Sequence, residues 1–269
     1  MSDQKQIITD LLAKFRQLGI AEQIDYKKFY LYRIITHSTA IEGSTLTEVE
    51  NQLLFDEGIT SSRRTLQEQQ MNLDLKAAYE RSFQLAKQGA AFSTPMLCEL
   101  SALTMKNTGA AYNTFAGSFD ASKGDLRLVN VTAGFGGRSY LSWQKVPAAL
   151  EKFCDGLNER REQLSHSDEL AAYALSFEAH LRLVSIHPWA DGNGRMSRLV
   201  MNHLQVEAGL IPTIVYREHK EQYIRALAEA QEQESSAPFV AFMFDELAYF
   251  LRRNIKEYKE STENSANFQ

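Results

Sequence analysis

One stretch of twelve residues, His187-Pro188-Trp189-Ala190-Asp191-Gly192-Asn193-Gly194-Arg195-Met196-Ser197-Arg198, gathers an imidazole, a carboxylate, two guanidinium groups and two glycines between helical stretches. Pro188 disfavours helical geometry at His187, and Gly192-Asn193-Gly194 permits positive φ, so the chain turns sharply and enters the next helix from a loop of exposed amides. Unpaired N–H groups at a helix start, backed by the positive end of the macrodipole, bind phosphate without a side chain. Arg195 and Arg198 are three residues apart, so both guanidinium groups can project from one face toward an anion held there. Cations at a positive helix end are unfavourable by roughly 0.3–1 kcal/mol each when exposed, a placement that a polyphosphate or carboxylate between them explains. Asp191 adds one hard oxygen, and Mg²⁺ bound to a triphosphate takes only one or two protein carboxylates. His187, an imidazole that titrates near neutrality, is suited to take a proton from an attacking hydroxyl. The set describes phosphoryl or nucleotidyl transfer, with Trp189 as a packed anchor for the loop.

Two other readings of this stretch fail. Asp191-Gly192-Asn193 opens like a calcium loop, but Arg195 falls where an oxygen ligand is needed and Met196 where glycine is required. A P-loop needs Gly-Lys-Ser/Thr, which Gly194-Arg195-Met196 does not supply.

The elements that must position this chemistry are mostly helices. Apolar spacing through Ile8, Leu11, Leu12, Phe15 and Leu18 predicts a first helix ended by Gly19, and a second runs over 26–42, stopped by Gly43. Thr47-Glu48-Val49-Glu50 has capping-box form and opens a third. A long helix follows over 65–88, and Thr94-Pro95 reads as N-cap and first residue of the next. Between Gly117 and Gly137 the pattern becomes β-like: Phe119, Leu126, Leu128, Val129 and Val131 surround the turn-like 122–125, predicting a hairpin and then a Gly-rich loop. Helical spacing returns over 146–164, 168–186, 193–207, 221–232 and 239–258, and residues 261–269 are polar and expected to fray.

With 269 residues, 44% of them hydrophobic, and no long Pro/Gly/Ser linker, the expected architecture is a single, mainly α-helical domain carrying one β-hairpin. Lys plus Arg number 29 against 34 Asp plus Glu, a net charge of −5 that provides no general footprint for nucleic acid. Cys98 and Cys154 sit in apolar helical patterns and are expected to be small buried thiols, not a disulfide framework or zinc cluster. No apolar run approaches a membrane span, and the first thirty residues carry scattered charges where a signal peptide needs apolar ones, so the expected compartment is the reducing cytoplasm.

The 187–198 stretch resembles the signature of the Fic family, His-x-Phe-x-Asp/Glu-Gly-Asn-Gly-Arg-x-x-Arg, with Trp189 in place of Phe. Residues 117–131 resemble the family's flap hairpin, 142–157 its following helix, and the likeness covers roughly 26–258. It implies that His187 is the general base, Asp191 holds Mg²⁺, and Gly192, Asn193 and Gly194 cradle the α- and β-phosphates of ATP. Arg195 and Arg198 would neutralise the triphosphate tail, Arg198 at the γ-phosphate. The flap would align a target segment by strand addition, although Gly117-Ser118-Phe119-Asp120 departs from the family's Gly-x-Tyr/Phe-Arg. Ser38-Thr39-Ala40-Ile41-Glu42-Gly43 resembles the family's N-terminal inhibitory motif, Ser/Thr-x-x-x-Glu-Gly/Asn. Ser38 and Glu42 lie one turn apart on one face, and Glu42 opposes the dipole at a helix C-terminus, a placement that a partner elsewhere explains. The implied partner is Arg198.

The expected division is an N-terminal inhibitory region over about 1–60, a Fic core over about 90–235 and a C-terminal helix over about 238–258, all in one domain. The expected function is auto-inhibited transfer of AMP from ATP to a Ser, Thr or Tyr hydroxyl of a protein target, self-modification included. Two alternatives stay open: removal of AMP by the same site, and a non-catalytic helical module that senses a nucleotide. The resemblance also leaves a homodimer open.

Overall fold

In the computed structural model, residues 2–133, 137, 139–165 and 168–266 are described. Ten α-helices among them carry most of the chain: α1 (Ser2–Gln17), α2 (Tyr26–Ile41), α3 (Glu48–Glu57), α4 (Leu66–Lys87), α5 (Thr94–Thr104), α6 (Val146–Gln163), α7 (Glu169–Ile186), α8 (Asn193–Glu207), α9 (Lys220–Glu232) and α10 (Ala237–Ala266). One antiparallel pair, β1 (Ala111–Thr114) and β2 (Gly117–Asp120), lies between α5 and α6. The mainly helical reading holds.

Local chemistry sets the helix boundaries. Thr47 caps α3 and Thr65 caps α4 in reciprocal capping boxes with Glu50 and Glu68. Asp168 caps α7 by accepting from the Ala171 amide at 2.9 Å. At α5 the cap is Ser93, one residue earlier than expected, and it accepts from the Met96 amide at 3.3 Å. Thr94 is therefore the first helical residue. The tail expected to fray continues α10 as far as Ala266, because no glycine or proline interrupts it and Lys256 faces Glu260 one turn on at 3.7 Å. Residues 267–269 lie outside the described part.

The hairpin forms upstream of its expected position. Ala111 pairs with Asp120 and Thr114 with Gly117, so the turn is Phe115-Ala116 and not 122–125. The Asp120 carboxylate instead accepts from Ser122 N at 3.0 Å and Ser122 Oγ at 2.6 Å, winding 121–123 into a short 3₁₀ turn. Gly124 ends that turn at φ 76°, so close to α5 that an added Cβ would lie 2.0 Å from the Cys98 carbonyl oxygen. Val131, expected in the hairpin, pairs further downstream: the Tyr140 amide donates to Val131 O at 3.0 Å, and Thr132 beside it bridges Ser139. Much of the Gly-rich loop, at Gly134 and Gly136, falls outside the described residues.

Around the site, α7 and α8 pack along each other, α4 crosses α8, and α10 lies against α1, α7 and α9. Gln4 Nε2 bonds Ala241 O at 3.2 Å and Asp245 Oδ1 at 2.7 Å, and Phe15 meets Phe250 at 6.0 Å between ring centroids. Cys154 is buried as expected, whereas Cys98 keeps partial exposure on α5; both are free thiols.

Candidate active site

Helix α7 ends at His187, which adopts left-handed geometry (φ 54°, ψ 62°) and donates its amide to Leu183 O. Trp189 then plunges into the core, its indole Nε1 donating to Gly124 O at 3.1 Å, so the anchor role expected of it is met. The loop is closed by Asn193: its Oδ1 accepts from the Trp189 amide at 3.1 Å and its Nδ2 donates to Trp189 O at 2.9 Å. The Asn193 side chain is thereby engaged within the loop, and what the residue can offer an anion is its backbone N–H. Gly192 at φ 79° leads into α8, whose first intrahelical bond is Met196 N to Gly192 O, leaving the Asn193, Gly194 and Arg195 amides of the first turn without helical acceptors.

The two arginines have contrasting surroundings. Arg195 is only 2% exposed, yet among the described residues its Nε and Nη1 are buried without a hydrogen-bond partner, and Nη2 meets Met105 Sδ at 3.1 Å and, at 3.5 Å, Asp191 Oδ2. Arg198 is fully engaged: Nε donates to Ser38 Oγ at 2.8 Å, Nη2 to Ser38 O at 3.0 Å and to Glu42 Oε1 at 2.7 Å, and Nη1 to the Tyr223 hydroxyl at 3.4 Å. The Tyr223 hydroxyl in turn shares a hydrogen bond with His180 Nε2 at 2.9 Å.

Glu42 and Ser38 are thus brought to Arg198 across the fold. A third of the Glu42 side chain stays exposed. Burial pushes its carboxyl up, but the charge and hydrogen bond of Arg198 outweigh this and, with Arg195 and Lys220 adding, hold it below the usual carboxylate range. The carboxylate stands over the start of α8: a Cβ at Gly194 would lie 2.6 Å from Glu42 Oε1 and 3.1 Å from Arg198 Nη1. A side chain there would have to displace the Glu42 carboxylate.

A buried polar network that sequence spacing did not reveal fixes the C-terminal end of α2. Thr39 Oγ1 donates to Asn72 Oδ1 at 2.8 Å, Asn51 Nδ2 to the same oxygen at 3.0 Å and to Thr36 Oγ1 at 2.8 Å, and Asn72 Nδ2 to Ser44 Oγ at 3.1 Å. The only advance signal was a run of small polar residues on a helix otherwise rich in aromatics.

Asp191 is 61% exposed in its side chain and accepts from the Gly192 amide at 2.6 Å through Oδ1. Among the described residues no group of three or more His, Cys, Asp or Glu side chains converges to hold a metal. The donor set therefore fits a cation that brings most of its oxygens with it, as Mg²⁺ on a polyphosphate does.

His187 Nδ1 lies 3.3 Å from Val184 O, an atom that can only accept, so in the neutral ring Nδ1 carries the proton and Nε2 is the free base. Burial pushes its pKa down to about 4, with the Val184 carbonyl opposing and the Arg127 charge assisting. Burial also lowers His203 to about 4, and it holds His180 well below the ordinary imidazole range. Because these folded values lie below those of the unfolded chain, the stability they carry is complete above about pH 6.5 and is lost as pH falls toward 4, at up to about 1.4 kcal/mol per pH unit per histidine. The urea midpoint is expected to fall clearly between pH 7.5 and pH 5; an unchanged midpoint would contradict neutral burial of the three rings.

Together, fold and site define a mainly helical protein with an anion cradle at a helix N-terminus and a neutral imidazole beside it. Residues 91–205 match the Fic/DOC family model. It is similar to a protein adenylyltransferase Fic of Aedes aegypti, 28% identical over 90% of this chain and 44% of that protein. The chain spans less than half the length of the curated relatives it matches first. Two solved structures share the fold: a Fic-domain signalling protein of Bacteroides thetaiotaomicron (TM-score 0.76, 22% identity, 94% of this chain and 98% of that one) and residues 134–508 of Fic-1 from C. elegans (TM-score 0.75, 20% identity, 97% and 74%). Among the described residues no helix is long and apolar enough to cross a membrane.

Proposed function

We propose that this chain transfers AMP from ATP to a hydroxyl side chain of a protein target and that Glu42 restrains the reaction. The observation that carries the proposal is the pair of arginines: Arg195 keeps two buried donors without partners, while Arg198 is held by the Glu42 carboxylate at the mouth of the same cradle. The adenylyltransferase names of the relatives support it.

In this reading the first-turn amides of α8, through Gly192, Asn193 and Gly194, receive the α- and β-phosphates. Arg195 pairs with the tail, and Arg198 turns to the γ-phosphate when Glu42 yields. Asp191 would hold Mg²⁺, which when bound neutralises phosphate charge and orients the leaving pyrophosphate. His187 Nε2 takes the proton of the target hydroxyl as its oxygen bonds to the α-phosphorus and the bond from that phosphorus to the bridging oxygen breaks, releasing pyrophosphate. The N-terminal region over about 1–60 acts as the restraining part and the core over about 90–235 as the catalytic part of one domain, with the C-terminal helix over about 238–258 bracing both.

Intact-mass spectrometry tests the reaction after incubation of wild type, Glu42→Gly and Glu42→Gly/His187→Ala with ATP and Mg²⁺. An added AMP in Glu42→Gly, absent from the double variant although it still binds ATP, is the expected result. AMP addition that survives His187→Ala would overturn the assigned base. General-base loss alone is expected to slow transfer by about 10²–10⁴-fold.

A further inference from the structure

Arg127 carries a charge that the phosphate chemistry does not use. It is 1% exposed, and among the described residues its guanidinium meets no carboxylate within ion-pair distance. Among the described residues its side-chain bonds go to backbone carbonyls: Nε donates to His187 O at 2.7 Å, Nη1 to Val129 O at 2.6 Å and Nη2 to Leu141 O. Its own amide donates to Pro188 O at 3.0 Å. Burying a cation without a counter-ion is unfavourable, and burial does push this guanidinium below its ordinary pKa. Such a group persists where its geometry is needed.

The three acceptors belong to separate pieces of chain. Val129 and Leu141 flank the bridged Thr132–Ser139 pair, one on each arm, and His187 closes α7 in left-handed geometry unusual for a residue with a side chain. The second arm reaches the base directly, since the Tyr140 ring stacks on the His187 ring with centroids 3.8 Å apart and planes 20° from parallel. A planar fork of donors can span three carbonyls in this way, whereas the ammonium of lysine, a point charge, cannot.

We infer that Arg127 is a positioning residue that ties two stretches of chain, 128–133 and 139–141, to the His187 peptide. A hydroxyl delivered along them then arrives at a fixed distance from Nε2. The inference rests on the transfer reaction proposed above. It adds that the order of these stretches, and not only the imidazole, sets the rate, because a misplacement of about 1 Å in a reacting group can lower rates about 10²-fold.

The test uses Arg127→Lys and Arg127→Gln, each in the full chain and in the Glu42→Gly background. Amide hydrogen exchange is read at 129–133 and 139–141 and along α7, α8 and α10; ATP affinity and AMP incorporation are read alongside. The expected result is exchange at Tyr140 and its neighbours faster by about tenfold or more, unchanged protection in the three helices, ATP affinity within about twofold, and AMP incorporation lower by about tenfold or more. Unchanged exchange in both variants overturns the inference whatever the activity. Loss of protection spread through α7, α8 and α10 in both variants overturns it as well, since the guanidinium would then support the whole fold. If the Glu42→Gly parent transfers no AMP, the reaction itself fails while the exchange data still decide whether Arg127 ties the two stretches.

Discussion

Arg195→Met is expected to yield a chain that melts at a higher temperature without nucleotide and gains nothing from adding it. Arg195 is buried with two unpartnered donors, and its remaining contacts are a thioether and a carboxylate at 3.5 Å. Burial pushes its guanidinium below the ordinary pKa, with Asp191 and Glu42 opposing that shift. Replacing a poorly paired buried ion by an apolar side chain of similar length is neutral or stabilising by about 1–4 kcal/mol. In a chain of this size each kcal/mol moves Tm by about 2–4 °C. The same change removes the donors awaiting phosphate, so the rise in Tm that saturating ATP gives the wild type should vanish, and transfer in the Glu42→Gly background should fall by about 10²–10³-fold. Calorimetry with and without ATP decides: a variant less stable than wild type in the absence of nucleotide would mean that Arg195 is already satisfied in the free protein.

Glu42→Gly should raise AMP incorporation by about tenfold or more, the equivalent of about 1.4 kcal/mol of released restraint. Arg198 does not collapse when the carboxylate leaves, because Ser38 Oγ, Ser38 O and the Tyr223 hydroxyl still hold it. The cradle is therefore formed in advance, and only its occupant changes. Since Arg198 keeps the Glu42 carboxyl below the usual range, the proposed restraint should be complete above the ordinary carboxylate pKa and should be lost as pH falls through the lowered one. Fold activation by Glu42→Gly should accordingly be flat from about pH 6 to 8. Glu42→Gln keeps an acceptor for Arg198 but not the charge, so steady-state AMP incorporation should fall between wild type and Glu42→Gly; a Gln variant as active as Gly would place the whole restraint in the charge.

The helices were legible because their boundaries are written in local chemistry. Gly19, Gly43 and the two capping boxes act within a turn of the residues they govern, and α8 begins and ends where apolar spacing places it. The 187–198 stretch was legible for the same reason, since its special residues are contiguous. The hairpin was misplaced because both segments around Ser122 look β-like, and the competition was settled by Asp120 bonding to Ser122 and by Gly124 meeting α5, neither visible in a period-two pattern. Arg127 was passed over because its partners are backbone carbonyls, 60 residues away in the case of His187, and a carbonyl carries no sequence signature. The Asn51–Asn72 network was invisible for a similar reason: only the crossing of α2, α3 and α4 brings those amides together.

The contact between α1 and α10 bears on how the chain is made. On the ribosome, Gln4 meets its partner Asp245 only after 241 further positions have been synthesised. The α7–α8 pair, by contrast, joins neighbours in sequence and can form as soon as both emerge. The α7–α8 pair is thus an earlier product and the α1–α10 pair a later one, whose closure carries the loop entropy of the 241 positions that separate Gln4 from Asp245. Until α10 arrives, the α1 face bearing Ile8, Leu12 and Phe15 stays open to chaperones and to its neighbours on the polysome.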